Sequence, residues 1–117
     1  MNCSVPSLAL VVEDDQFQRE VLAGALKREN IDVVQCESAE AAELVVASIG
    51  PELRLVVIDG WLAGECVGAE LAAFAKQKFP HLRVVLVSGD EEFPLPRNIQ
   101  FLRKPYQPDD VLRLATR

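Results

Sequence analysis

Apolar residues fall along this chain in short uninterrupted blocks, separated by stretches whose apolar positions recur at helical spacing. Leu8-Ala9-Leu10-Val11-Val12 and Leu55-Val56-Val57-Ile58 have no polar interruption, the habit of strands buried on both faces of a parallel sheet. Residues 82–87, interrupted only by Arg83, also read as a buried strand. Residues 31–36 are broken by Asp32 and Gln35 and suit an edge strand. A shorter fifth block, 99–102, runs into Lys104-Pro105. Between the first two strands, Phe17, Val21, Leu22, Ala25 and Leu26 form a helical stripe over 16–28, with Asp15 as N-cap. Ser38 caps a second helix with the stripe Ala41, Leu44, Val45 and Ser48, stopped by Gly50-Pro51. A loop at 60–64 leads to a third helix that places Val67, Leu71, Phe74 and Ala75 on one face and ends near Phe79, before Pro80. Asp109 opens a short final helix within 108–117, with Val111, Leu112 and Ala115 inward.

Strand–helix alternation of this kind predicts an α/β fold: five parallel strands with helices on both faces. One link breaks the rhythm. Only ten residues, 89–98, join the fourth strand to the fifth, and Pro94 and Pro96 forbid a regular helix through them. Ten extended residues still reach roughly 33 Å. The expectation is an irregular crossover with at most one helical turn, near 90–93.

The length of 117 residues suits a single domain, 1–117, with one core. The net charge of −6 and the absence of any basic run argue against nucleic-acid binding by this domain. No apolar run approaches the length of a membrane span, and the first residues lack a positive segment of the secretory type. Cys3, Cys36 and Cys66 have no metal-type spacing. They are expected to be free thiols in a reducing cytoplasm, packed as small hydrophobes.

Charge changes the picture most at the strand ends. In a parallel sheet the carboxyl ends of all strands share one edge, where open α/β sheets bind ligands. Glu13 and Asp14, Asp59, Ser88 and Lys104 each fall at or just after such an end. Carboxylates gathered at one edge repel one another and invite a hard divalent cation such as Mg²⁺. Lys104 and the Ser88 hydroxyl then face something anionic. A carboxylate nucleophile, a metal, an ammonium and a hydroxyl together describe phosphoryl transfer. Asp15 is left with the bland role of a helix cap, and His81 beside Pro80 with that of a solvated loop residue.

Four segments carry a family resemblance: Val11-Val12-Glu13-Asp14-Asp15, Val57-Ile58-Asp59, Val87-Ser88-Gly89 and Leu102-Arg103-Lys104-Pro105. In this order and at strand ends, they make the chain resemble the receiver domain of two-component response regulators over essentially its whole length. The resemblance implies a flavodoxin-like fold of strand order 2-1-3-4-5, its fourth helix here shortened or replaced by the loop at 89–98. It implies that Asp59 accepts a phosphoryl group from a histidine kinase or histidine phosphotransfer protein. Asp14 and Asp59 would ligate Mg²⁺ directly, Glu13 through water, and Trp61 through its backbone carbonyl. Ser88 and Lys104 would bind phosphoryl oxygens, Ser88 and Phe101 would act as switch residues, and Lys104-Pro105 would be cis. Phe101 lacks the hydroxyl of the family's tyrosine versions and also suits plain core.

The same resemblance frames three departures. With most of the fourth helix gone, loop 89–98 is expected to order or shift on phosphorylation, leaving sheet surface for a partner or a homodimer. The Trp61 ring, two residues after the acceptor, is placed to overhang the acyl phosphate and exclude water. No effector segment follows within these residues, so the chain is either stand-alone or the receiver part of a longer protein with a fused effector; its downstream target is unspecified. A non-phosphorylated pseudo-receiver that docks partners is the alternative reading. A small aspartyl-phosphate phosphatase is disfavoured because Trp61 stands where a second Asp is needed. A flavin site is disfavoured by the acids after the first strand. The expected protein is a signalling switch rather than a turnover enzyme.

Overall fold

The computed structural model describes residues 8–89 and 97–115. Nine elements alternate in chain order: β1 (Leu8–Val12), α1 (Gln16–Arg28), β2 (Asp32–Cys36), α2 (Ala39–Ile49), β3 (Leu55–Asp59), α3 (Gly68–Lys78), β4 (Arg83–Ser88), β5 (Gln100–Arg103) and α4 (Pro108–Ala115). The strands form one sheet of order β2-β1-β3-β4-β5, and every pairing is parallel. Strand order reverses between β1 and β3, the switch point where such sheets bind ligands. Among the described residues no helix intervenes between β4 and β5; the irregular turn expected near 90–93 lies outside them.

Strand alternation divides the apolar blocks between two cores. Leu10, Val56, Ile58, Val84 and Leu86 pack against Ala42 and Val46 of α2 and Leu71, Ala72 and Ala75 of α3. Ala9, Val11, Val57, Val85 and Val87 pack against Leu22 and Leu26 of α1 and Val111 and Ala115 of α4. β3 is buried along its whole length, so each of its aliphatic side chains contributes about 1.5–3 kcal/mol by leaving water. β2 is the exposed edge that its polar interruptions predict, with Asp32 and Gln35 in solvent.

The helix starts follow capping chemistry. The Asp15 side chain accepts from the Gln18 amide at 2.9 Å, and Ser38 Oγ accepts from the Ala41 amide at 3.1 Å. Two apolar stripes are rotated from expectation. In α1 the buried positions are Leu22, Ala23, Ala25 and Leu26, while Phe17 is 76% and Val21 44% exposed. In α2 Ala42 and Val46 are buried, Ala41 and Val45 pack partly buried against the same core, and Leu44 (70% exposed) and Ser48 face solvent, so the face centres on Ala42-Val46 and keeps only Ala41 and Val45 of the expected stripe. The segment Ala41-Ala42-Glu43-Leu44-Val45-Val46 satisfies helical spacing in either phase; packing on the sheet decides. Cys36 is buried, but Cys66 is exposed on the β3–α3 loop rather than packed; both are free thiols, and Cys3 lies outside the described residues.

One close approach fixes α3 relative to the sheet edge. A Cβ on Gly68 would lie 2.2 Å from the Asp59 carbonyl oxygen and 2.5 Å from Gly60 Cα. The Gly68 amide also donates to the Gly60 carbonyl at 3.0 Å. Only glycine lets the helix start here. The loop between them ends in a small hairpin in which Leu62 and Glu65 exchange main-chain hydrogen bonds across Ala63 and Gly64, both at positive φ.

Candidate functional site at the carboxyl edge of the sheet

β1 and β3 are neighbours, with Val12 paired to Ile58, so the residues that follow these partners, Glu13 and Asp59, leave the sheet side by side. Glu13 and Asp59 are each 7% exposed, whereas Asp14 is exposed. Carboxylate oxygens of Glu13, Asp14 and Asp59 lie within 4.8 Å of one another. Lys104 arrives from β5, whose ladder it extends through its amide to the Ser88 carbonyl at 3.0 Å. Its Nζ lies 2.8 Å from Asp59 Oδ2 and 3.4 Å from Glu13 Oε1. The Lys104-Pro105 peptide is cis, as the family resemblance implies.

Each acid is held on one oxygen by a main-chain donor. The Asp15 amide donates to Glu13 Oε2 at 3.1 Å, the Ala63 amide to Asp14 Oδ2 at 2.9 Å, and the Trp61 amide to Asp59 Oδ1 at 3.0 Å. Fixed donors of this kind orient the carboxylates before any ligand arrives. The electrostatics are correspondingly strained. Burial, then the neighbouring Asp59 carboxylate, push Glu13 up to about 7, against the pull of the Asp15 amide and Lys104. Burial by itself would lower Lys104, but the hydrogen bond and charge of Asp59, with Glu13 behind them, outweigh it and raise its pKa. Tyr106 lines the small space behind Glu13 and Asp59, and burial followed by the Glu13 charge pushes its phenol up to about 12.

The residues singled out from sequence are thus brought to one edge, with different degrees of contact. Glu13, Asp14, Asp59 and Lys104 converge directly. Ser88 follows Val87, which pairs with Asp59; it is 1% exposed and shares the face of Leu86. Phe101 pairs with Leu86 and is partly buried against the α2–α3 core, so Ser88 and Phe101 lie on the same side of the sheet. The Trp61 side chain is 42% exposed. Three partners escaped the sequence: the Ala63 amide, Tyr106, and Arg19, which holds the Glu13 carbonyl. The first and last act on or through the main chain, which leaves no compositional signal. Tyr106 does carry a signal in residue type, an aromatic directly after Lys104-Pro105.

A five-stranded parallel sheet of this order, with acids and a lysine at its carboxyl edge, defines a flavodoxin-like domain of the receiver class. No model of a known protein family matches the chain. It is 31% identical to the rice (Oryza sativa subsp. japonica) two-component response regulator ORR6, over 92% of this chain and 68% of that protein. It superposes on the receiver domain of NtrX from Brucella abortus with a TM-score of 0.74 at 27% identity, covering 92% of this chain and 93% of that one. Against an NtrX chain crystallised with ADP it spans 25% of the length. A response regulator receiver domain protein from Clostridium thermocellum shares the fold at a TM-score of 0.83 and 16% identity, over 93% of this chain. The chain belongs to the two-component response regulators, and its fold is that of their receiver domain.

Proposed function

We propose that Asp59 is the phosphoacceptor of a two-component or phosphorelay pathway, receiving its phosphoryl group from a phosphohistidine on a histidine kinase or phosphotransfer protein. The observation that carries this reading is the contact of Lys104 Nζ with Asp59 at 2.8 Å, beside two further acids within 4.8 Å. In the transfer an Asp59 carboxylate oxygen forms the new O–P bond as the N–P bond of the phosphoimidazole breaks, and the departing imidazole keeps the electron pair and takes a proton. Lys104 exchanges its bond to the carboxylate for one to a phosphoryl oxygen. The Ser88 hydroxyl binds another, drawing Phe101 along the face they share.

The donor set fits Mg²⁺, a hard cation that favours carboxylate, carbonyl and water oxygens. Asp14 and Asp59 would hold it directly, Glu13 through water, and Trp61 through its carbonyl. When bound, the ion supplies the positive charge that lets an anionic phosphoryl group meet an anionic carboxylate. Phe17 and Val21, one turn apart and exposed on α1 just beyond the acidic turn, offer the phosphodonor an apolar contact. Among the described residues no helix is long and apolar enough to cross a membrane. The role places the chain in the cytoplasm as a switch acting on a downstream protein or a fused effector.

Acetyl phosphate with Mg²⁺ is expected to add one phosphoryl group to the chain, read by intact-mass spectrometry. Asp59→Asn or removal of the divalent ion with EDTA is expected to abolish it. Labelling that persists in Asp59→Asn, or none in the parent chain, would overturn the reading, and the second result would leave a pseudo-receiver.

A further inference from the structure

Glu13, Asp14 and Asp15 are three consecutive acids in the tight turn between β1 and α1, an arrangement that pushes itself apart. Both peptide groups of Glu13 are nevertheless fixed from outside the turn. Its amide donates to the Cys36 carbonyl at the end of β2, at 3.0 Å. Its carbonyl accepts from Arg19 Nη1 at 2.9 Å, and Arg19 Nε donates to the Gln35 side-chain oxygen at 3.2 Å. The Arg19 amide in turn donates to the Asp15 carbonyl at 2.9 Å. One guanidinium therefore ties the acidic turn to α1 and to the edge strand β2. Both of its side-chain partners are neutral amide oxygens, so this contact is a matter of geometry more than of charge neutralisation. A planar fork makes two such bonds at once; a lysine ammonium on a flexible stem does not reproduce them.

We propose that Arg19 is a positioning residue for the metal site, clamping the β1–α1 turn so that the Glu13 and Asp14 carboxylates face Asp59. This rests on the reading of the edge as a Mg²⁺-dependent phosphoacceptor site. Two physical effects of Arg19 have opposite signs, which makes the inference testable. As a charge, Arg19 repels a divalent cation, so its removal alone would tighten Mg²⁺ binding. As a clamp, it holds ligands in place, and losing an outer partner of this kind typically weakens a metal site by roughly tenfold or more. A partly exposed charge is screened by salt, so the clamp is the larger effect.

The test is a Mg²⁺ titration of the full chain, followed by the fluorescence of Trp61, the chain's single tryptophan, and by calorimetry. Arg19→Lys keeps the charge and loses the fork; Arg19→Gln loses both; Gln35→Ala removes one anchor and leaves the Glu13 contact. The expected order of Mg²⁺ Kd is parent below Gln35→Ala below Arg19→Lys, the last weaker than the parent by about tenfold. Arg19→Gln is expected to be weakened as well, and melting of the metal-free proteins measures stability separately. A purely structural role would lower Tm and leave Kd unchanged. Unchanged or tighter binding in Arg19→Lys and Arg19→Gln would overturn the inference while leaving the phosphoacceptor reading intact. Absence of Mg²⁺ binding by the parent chain would overturn both.

Discussion

β3 and β5 each deliver a residue to the same site, Asp59 from one and Lys104 from just past the other, yet the two strands are held very differently. β3 is buried at all five positions, paired on both sides and covered by helices on both faces. β5 is four residues long, partly exposed throughout and, among the described residues, paired only with β4. Its first residue, Gln100, carries a buried side-chain oxygen that has no hydrogen-bond partner among the described residues. Local opening is easiest where buried apolar cover is thin. On the proposed reading, the acceptor Asp59 sits on the best-covered strand of the sheet, and Lys104 and Phe101, the residues proposed to respond, sit on or just past a thinly covered one. A phosphoacceptor switch needs that division, because the chemistry requires fixed distances and the output requires motion.

The sharpest way to break this comparison is to truncate both strands. Ile58→Ala is expected to destabilise the protein by about 3–4 kcal/mol, because a fully buried side chain leaves a cavity. Phe101→Ala should cost only about 1–2 kcal/mol despite removing a larger group, since Phe101 is already partly in solvent. Chemical denaturation of both variants measures the difference, and equal losses would mean that β5 is as firmly built as β3.

A smaller effect follows from Glu13. Its folded pKa, pushed up to about 7, stands above the ordinary glutamate value of 4.5, so between those limits the folded chain binds more protons than the unfolded one. Metal-free stability therefore falls as pH rises from about 4.5 through 7, by about 3 kcal/mol at most. Metal binding requires the ionised carboxylate. Added Mg²⁺ should thus raise Tm more at pH 8 than at pH 6, and scanning calorimetry at the two values checks it. An equal rise at both would detach Glu13 from the metal.

The smallest expected change is one of lifetime rather than stability. The Trp61 side chain is substantially exposed, so Trp61→Asn should leave the unfolding free energy within about 0.5 kcal/mol of the parent. If the ring excludes water from the acyl phosphate, the variant shortens the phosphoryl half-life on Asp59. An unchanged half-life after removal of the phosphodonor would refute that role.

Much of the sheet was legible because its signals are local and redundant. The uninterrupted blocks around Val11, Val57 and Val85 admit few structures other than buried parallel strands, and Asp15 and Ser38 mark helix starts by chemistry that needs no tertiary context. The convergence of Glu13, Asp14, Asp59 and Lys104 followed from topology alone, since parallel strands share an edge. Helix phase was less legible. Phe17, Val21 and Leu44 fit an apolar stripe by spacing, but alanine and valine neighbours fit equally well, and only packing against the sheet selects between them. Contacts made through the main chain, such as Arg19 to the Glu13 carbonyl and Ala63 to Asp14, leave no trace in residue type.

Gly68 gives Asp59 a mechanical neighbour as well as chemical ones. Because α3 begins hard against the Asp59 carbonyl, there is no slack between that peptide and the first turn of a helix. If Asp59 is phosphorylated as proposed, strain in its backbone would reach that helix by direct abutment, along a route separate from the proposed Ser88–Phe101 pair. On that reading, the missing methyl group is what would join a chemical event to a lever eleven residues long.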